Sequence, residues 1–164
     1  MNGKASAGST SVRATCATSW WPASIARWRR GATGVEPDNV DGYANDTGFP
    51  LQDTDQYAFN VFIANEAHKR NLAVGLKNDV DQLAALEPSF DFAVNEECNE
   101  QKECPGYKVF TSKNKPVLNA EYAGKYRTPS GQRTLCDAAR ALNMRTLVLA
   151  KKLDDSYRFS CDAS

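Results

Sequence analysis

From residue 34 onward the chain alternates short apolar runs with longer amphipathic stretches. Residues 34–36 read as a short extended run that ends at Pro37. Residues 51–71 predict a helix, because Tyr57, Val61, Ala64, Ala67 and His68 recur at helical spacing. Residues 72–77 (LAVGLK) predict a buried strand, and 79–86 a short helix that Pro88 keeps from continuing. Residues 90–95 (FDFAVN) predict a further strand, 100–113 a loop with a short helix, and 115–121 (KPVLNAE) a strand of the same kind. Residues 134–143 look helical, and the remaining tail is expected to dock through Cys161.

Strands separated by helices imply βαβ units and a parallel sheet, so the fold class is α/β. No GxGxxG follows any strand. Instead the strands end in EPDN, KND, NEE and AEY, which puts polar and acidic residues where each strand stops. In a (β/α) barrel that edge carries the catalytic residues.

The sequence has 164 residues, about one domain of chain, with 20 basic and 20 acidic side chains. Zero net charge argues against a chain built to coat nucleic acid, and no run approaches the ~18 apolar residues of a membrane-spanning helix. The charge is unevenly spread. Lys4, Arg13, Arg27, Arg29 and Arg30 are the charged residues of 1–35, whereas 36–164 hold 15 basic and 20 acidic side chains. This basic head carries Trp20, Trp21 and Trp28 and shows no periodicity. It admits three readings: an organelle transit peptide, a polyanion-binding tail, or translation that is not native coding sequence.

The chemistry at the strand ends is carboxylate chemistry, through Glu36, Asp38, Asp41, Asp79, Glu96, Glu97 and Glu121. No Cys/His pair and no Ser in a nucleophile elbow competes with them. Two carboxylates in different environments suit glycoside hydrolysis. Two or three could instead hold Mg²⁺ or Ca²⁺, or merely cap helices and pair with Lys77, Lys108 or Lys115. Cys98 and Cys104 flank a polar loop that a disulfide could close, and Cys136 with Cys161 would then tie down the tail. Free thiols are the alternative. A zinc site is the weaker reading, because the chain lacks CxxC and its one histidine, His68, is far from any cysteine. Cys16 is left over in the head.

Residues 34–49 (GVEPDNVDGYANDTGF), NEAHKR, LAVGLKNDVDQ, FDFAVNEECNEQKEC and KPVLNAEY together resemble glycoside hydrolase family 114, in family order and spacing. TLCDAARALN and RFSC resemble the family's C-terminal segment. The resemblance covers roughly 34–164. It implies a TIM (β/α)₈ barrel of which this chain shows about the last four βα units, with parallel strands. It further implies hydrolysis of α-1,4-linked galactosaminide polysaccharide by two carboxylates, with α-galactosidase activity as an alternative.

Carried over position by position, the resemblance makes Asp38 the nucleophile and Glu96 the acid/base. It makes Glu36, Asn39, Asp41, Tyr43, Lys77, Asn78, Asp79, Asn95, Glu121 and Tyr122 substrate-binding or supporting residues. Tyr43, Phe49, Tyr122 and Tyr126 are candidate sugar platforms. The family loop supports the Cys98–Cys104 pairing, and the family location is extracellular. No cofactor or metal is implied. The expected partner is the polysaccharide, not nucleic acid or a membrane, with self-association through open sheet edges as a further expectation.

The chain departs from the family before residue 34. The family reads Gly-Cys-Asp-Gly-Val-Glu-Pro-Asp where this chain reads Gly-Ala-Thr-Gly-Val-Glu-Pro-Asp. Codons for Gly-Ala-Thr can spell Cys-Asp out of frame, so residues 1–33 read as frame-shifted or mis-spliced, and 34–164 as the C-terminal half of a barrel. An inactive, at most carbohydrate-binding, fragment is the competing expectation for function.

Overall fold

The computed structural model describes residues 31–163. The expected irregular head at 1–33 therefore lies outside the described residues except for its last three. Of these, Thr33 already joins the sheet, its carbonyl accepting from the Ala73 amide at 3.0 Å.

The elements run β1 (Gly34–Val35), α1 (Asp53–His68), β2 (Ala73–Lys77), α2 (Leu83–Leu86), β3 (Phe92–Glu96), α3 (Cys98–Gln101), α4 (Lys108–Thr111), β4 (Val117–Glu121), α5 (Pro129–Ala141), β5 (Arg145–Leu149) and β6 (Arg158–Ser160). They form one six-stranded sheet in chain order. The strands β1 to β5 are parallel, and β6 returns antiparallel to β5. The four expected parallel strands are present. The tail adds a fifth parallel strand and an antiparallel edge where a docked tail was expected. Residues 145–149 (RTLVL) are a β-branched, apolar run suited to a strand, and the Cys136–Cys161 disulfide ties the far end of the β5–β6 hairpin to α5.

Helix α5 starts a turn and a half before the expected 134. The Thr128 hydroxyl accepts from the Gly131 amide at 3.2 Å and Pro129 opens the first turn, a start signal that periodicity alone passes over. A side chain at Gly131 would meet the Lys125 carbonyl at 1.9 Å. At Gly75 in β2 an added Cβ would lie 2.3 Å from the Phe92 ring of β3, so any side chain there would have to displace the ring.

The buried stripe of α1 differs from the one expected. Gln56, Asn60, Ile63, Ala64 and Ala67 are buried, whereas Tyr57 is 40% exposed and His68 pairs with Asp91 at the surface. Glu66 is buried too, paired with Lys69 and Arg70, and Gln56 and Asn60 face inward because each has a partner there. Gln56 Nε2 donates to Asn60 Oδ1 at 2.9 Å, and Asn60 Nδ2 donates to the Val40 carbonyl and to Asp79 Oδ2, both at 2.9 Å.

The two faces of the sheet differ. Val74 and Leu76, Ala93 and Asn95, Val117, Asn119 and Glu121, and Thr146 and Val148 point to the buried face. Val74 and Leu76 pack there with Ile63, Ala64 and Ala67 of α1, in a core that also takes in Tyr107 and Phe110. Phe92, Val94 and Glu96, Leu118 and Ala120, and Leu147 lie on the other face and stay partly open. Val94, Leu118, Ala120 and Leu147 help line a cavity of about 430 Å³ there.

Candidate active site

Parallel pairing carries the C-terminal ends of β1 to β5 to one edge. Lys77 ends β2, Glu96 ends β3 and Glu121 ends β4, while Glu36 and Asp38 follow β1 directly. Lys77 is the hub. Its Nζ lies 3.0 Å from Asp38 Oδ1, 3.5 Å from Glu36 Oε1 and 3.9 Å from Glu96 Oε2. One ammonium therefore faces three carboxylates, and the 3.0 Å and 3.9 Å distances together put Asp38 Oδ1 and Glu96 Oε2 within ~7 Å of each other.

The electrostatics follow from that geometry. The hydrogen bond from Lys77 holds the Asp38 carboxyl below its ordinary range, against a smaller opposing effect of burial, and the Asn39 amide at 3.0 Å adds to it. Burial pulls Lys77 downward, but Asp38, Glu36 and Glu96 more than offset this and leave it raised. At this edge Glu96 Oε1 accepts from the Tyr122 hydroxyl at 2.5 Å. Burial and the Glu96 contact raise the Tyr122 phenol, so it remains a donor.

Glu96 is braced from β2. Its backbone amide donates to Asn78 Oδ1 at 3.0 Å. Asn95 Nδ2 donates to Asn78 Oδ1 at 3.2 Å and to the Tyr107 hydroxyl at 2.8 Å, and Asn95 Oδ1 accepts from the Cys98 amide at 2.8 Å. Asn78 and Asp79 both adopt left-handed backbone, which turns the chain sharply out of β2.

Beside Glu96 lies a cavity of about 270 Å³ whose lining includes Asp41, Asp79, Asp81, Glu103 and Tyr43, with no Lys or Arg among the described residues. Burial pushes Asp79 up to about 6. Tyr43 and Asn60 oppose this as hydrogen-bond partners, while the Asp41 and Asp81 charges add to it. Burial likewise raises Tyr43 to about 12, helped by Asp79 and Asp81.

The structure thus brings Glu36, Asp38, Lys77, Glu96 and Tyr122 together, with Asn39 and Asn78 in support and Asp41, Tyr43 and Asp79 in the adjoining cavity. Glu121 is fully buried on the opposite side of the sheet, and Asn95 lines the adjoining cavity with both polar side-chain atoms engaged in bracing. Tyr126 is buried against Leu135, Cys136, Val148 and Cys161. Phe49 is 60% exposed and lines neither cavity. Residue reading missed Gln56, Asn60, Asp81, Glu103 and Tyr107. Asp81, two positions past Asp79, and Glu103, inside the cysteine loop, carried a visible charge signal. Gln56, Asn60 and Tyr107 carried none.

Both expected disulfides form, Cys98–Cys104 and Cys136–Cys161, with Cα atoms 4.8 and 5.1 Å apart. Among the described residues, Cys98, Cys104 and Glu121 are the one grouping of metal-ligand types, and both sulfurs are already spent in a disulfide. No helix among the described residues is long and apolar enough to cross a membrane.

The family model of glycoside-hydrolase family GH114 matches residues 24–164. The fold is similar to the crystal structure of Aspergillus fumigatus Ega3 in complex with galactosamine, with a TM-score of 0.74 and 36% sequence identity. That alignment covers 82% of this chain and 56% of the other, so the chain spans just over half the length of that relative and forms part of a (β/α) barrel. A search of the curated proteins finds no match.

Proposed function

The chain belongs to glycoside hydrolase family GH114, and we propose that it acts on α-1,4-linked galactosaminide polysaccharide by a two-carboxylate mechanism. The observation that carries this reading is the sharing of Lys77 by Asp38 and Glu96. Lys77 keeps Asp38 ionised, which suits attack on an anomeric carbon. Glu96 then serves as acid/base. It gives a proton to the glycosidic oxygen as the C–O bond breaks and Asp38 bonds to C1. It next takes a proton from the water that displaces Asp38. The ~7 Å limit on this one pair of oxygens is compatible with the about 5–5.5 Å between the carboxyl groups of retaining enzymes.

The acidic cavity beside Glu96 supports an amino sugar over neutral galactose. A galactosaminide unit carries an ammonium at neutral pH, and carboxylates without a competing Lys or Arg attract it. Tyr43 and Tyr122, both partly exposed, offer aromatic faces to the sugar. Two disulfides suit an oxidising, extracellular location.

Asp38→Asn and Glu96→Gln test the assignment. Each amide keeps size but cannot attack or cycle a proton, so release of reducing ends from an α-1,4-galactosaminide polymer falls about 10²-fold or more with the fold intact. Near-normal turnover in either variant overturns it.

The sheet face that stays partly open among the described residues favours a second reading, carbohydrate binding without turnover, because an open face does not exclude water. Binding of the polymer by the wild-type chain with no reducing ends released would select that reading.

A further inference from the structure

We propose that Glu121 is a positioning residue, which sets the place of Glu96 by holding the turn that follows it. The inference rests on reading Glu96 as a catalytic carboxylate.

Glu121 is 0% exposed and lies on the buried face of β4, one residue before Tyr122. Its Oε1 accepts three hydrogen bonds, from the Asn99 backbone amide at 2.8 Å, from Asn99 Nδ2 at 3.2 Å and from Asn119 Nδ2 at 3.1 Å. Asn99 sits three residues past Glu96, in the first turn of α3. The residue between Glu96 and that helix, Glu97, has left-handed backbone at φ 64°. The chain reverses there at a conformational cost, so something must hold the turn. The Glu97 amide bonds the Ala120 carbonyl at 2.8 Å, the Cys98–Cys104 bridge closes the loop, and its sulfurs lie within 4.8 Å of a Glu121 oxygen.

Stability alone does not account for this acid. Its Oε2 is buried without a hydrogen-bond partner, a costly state for a carboxyl group. What the side chain supplies is reach: an acceptor on β4 that meets the Asn99 amide. Glu96 is thereby held from both sides, by Asn78 just past β2 at its own amide and by Glu121 on β4 at the turn beyond it.

Two substitutions separate reach from charge. Glu121→Gln keeps the length and an Oε1 acceptor but removes the charge. Glu121→Asp keeps the charge but withdraws the acceptor by one methylene. The readouts, on the full chain with both disulfides intact, are amide hydrogen exchange at Asn99 and the side-chain ¹³C resonance of Glu96, assigned by its loss in Glu96→Gln. Glu121→Gln should match wild type in both. Glu121→Asp should raise Asn99 exchange about tenfold, the loss of one net hydrogen bond, and move the Glu96 resonance. A Glu121→Asp variant that matches wild type, or a Glu121→Gln variant as perturbed as Glu121→Asp, overturns the proposal. Should Glu121→Asp fail to fold, Asn99→Ala removes the weaker donor alone. It should move the Glu96 resonance in a folded chain, and no movement overturns the proposal. None of these readouts needs turnover, so the activity of Glu96→Gln judges the catalytic reading separately.

Discussion

The Tyr122 hydroxyl donates to Glu96 Oε1 at 2.5 Å across the β3–β4 pair. The register makes this contact. Glu96 pairs with Ala120, so Tyr122, two residues on, emerges from the same face of the sheet as Glu96. Glu121, between them, points the other way and is buried. Neighbours in sequence thus have opposite duties, one at the carboxylate and one beneath it.

Removing the hydroxyl isolates its role. In Tyr122→Phe a hydrogen bond to a carboxyl group is lost while the ring remains, a loss of about 1.5–3 kcal/mol for such a bond. We expect polymer cleavage to fall about 10- to 100-fold in kcat. Unchanged kcat would make the contact incidental.

Lys77→Met should affect Asp38 more than the fold. Asp38 is depressed in the folded state, so the stability it contributes is present above its unfolded pKa of about 3.9 and lost as pH falls through its lower folded value. Its side chain is 61% exposed, so this stabilisation is small after screening. The larger effect is on chemistry. Without the ammonium, Asp38 titrates in the ordinary range, and the acidic limb of kcat/KM moves to higher pH. A limb that stays in place would exclude Asp38 as the titrating group.

Asp79 has the opposite sign. Burial raises it to about 6, so the folded state favours its protonated form. That contribution is full below about pH 4 and is lost as pH rises through about 6. Asp79→Asn removes the penalty, and urea denaturation should find the variant gaining on wild type by about 2–3 kcal/mol between pH 4 and pH 7. Nuclear magnetic resonance titration should show the same variant binding galactosamine more weakly at pH 7, while binding of galactose changes little. Equal loss for both sugars would remove the argument that the cavity reads an ammonium.

The two disulfides should separate stability from site geometry. Replacing Cys136 and Cys161 together with alanine frees a 25-residue loop and should cost about 3.5 kcal/mol on the chain-entropy account. Replacing Cys98 and Cys104, six residues apart, should cost less stability, about 2.4 kcal/mol. It should nonetheless lower activity more, because that bridge closes the loop after Glu96. Calorimetry and polymer cleavage on both variants check the crossed ranking.

Much of the fold was legible because hydrophobic runs and strand-end chemistry are local signals. LAVGLK, FDFAVN and KPVLNAE each announced a strand, and an α/β order sends every strand's C-terminal end to one edge. That places Asp38, Lys77 and Glu96 at one edge from the sequence alone, and loop spacing with the family resemblance points to both disulfides. The β5–β6 hairpin was missed because the tail's strand signal is short and its partner comes from pairing, not from pattern.

What the sequence could not assign was the side of the sheet to which each residue turns. A strand alternates sides with period two, but only pairing to its neighbours says which side is open. NEE and AEY look alike as strings. In the folded chain Glu96 reaches the cleft while Asn95 braces it, and Tyr122 reaches the cleft while Glu121 goes under. Gln56 and Asn60 likewise read as a polar surface on α1. They are buried because Val40 and Asp79, about 20 residues from Asn60 in the chain, accept its hydrogen bonds, and Asn60 in turn accepts from Gln56. Residue type and spacing thus determined which groups were available at one edge. Register and long-range hydrogen bonding, which exist only once the chain has folded, decided which of them meet.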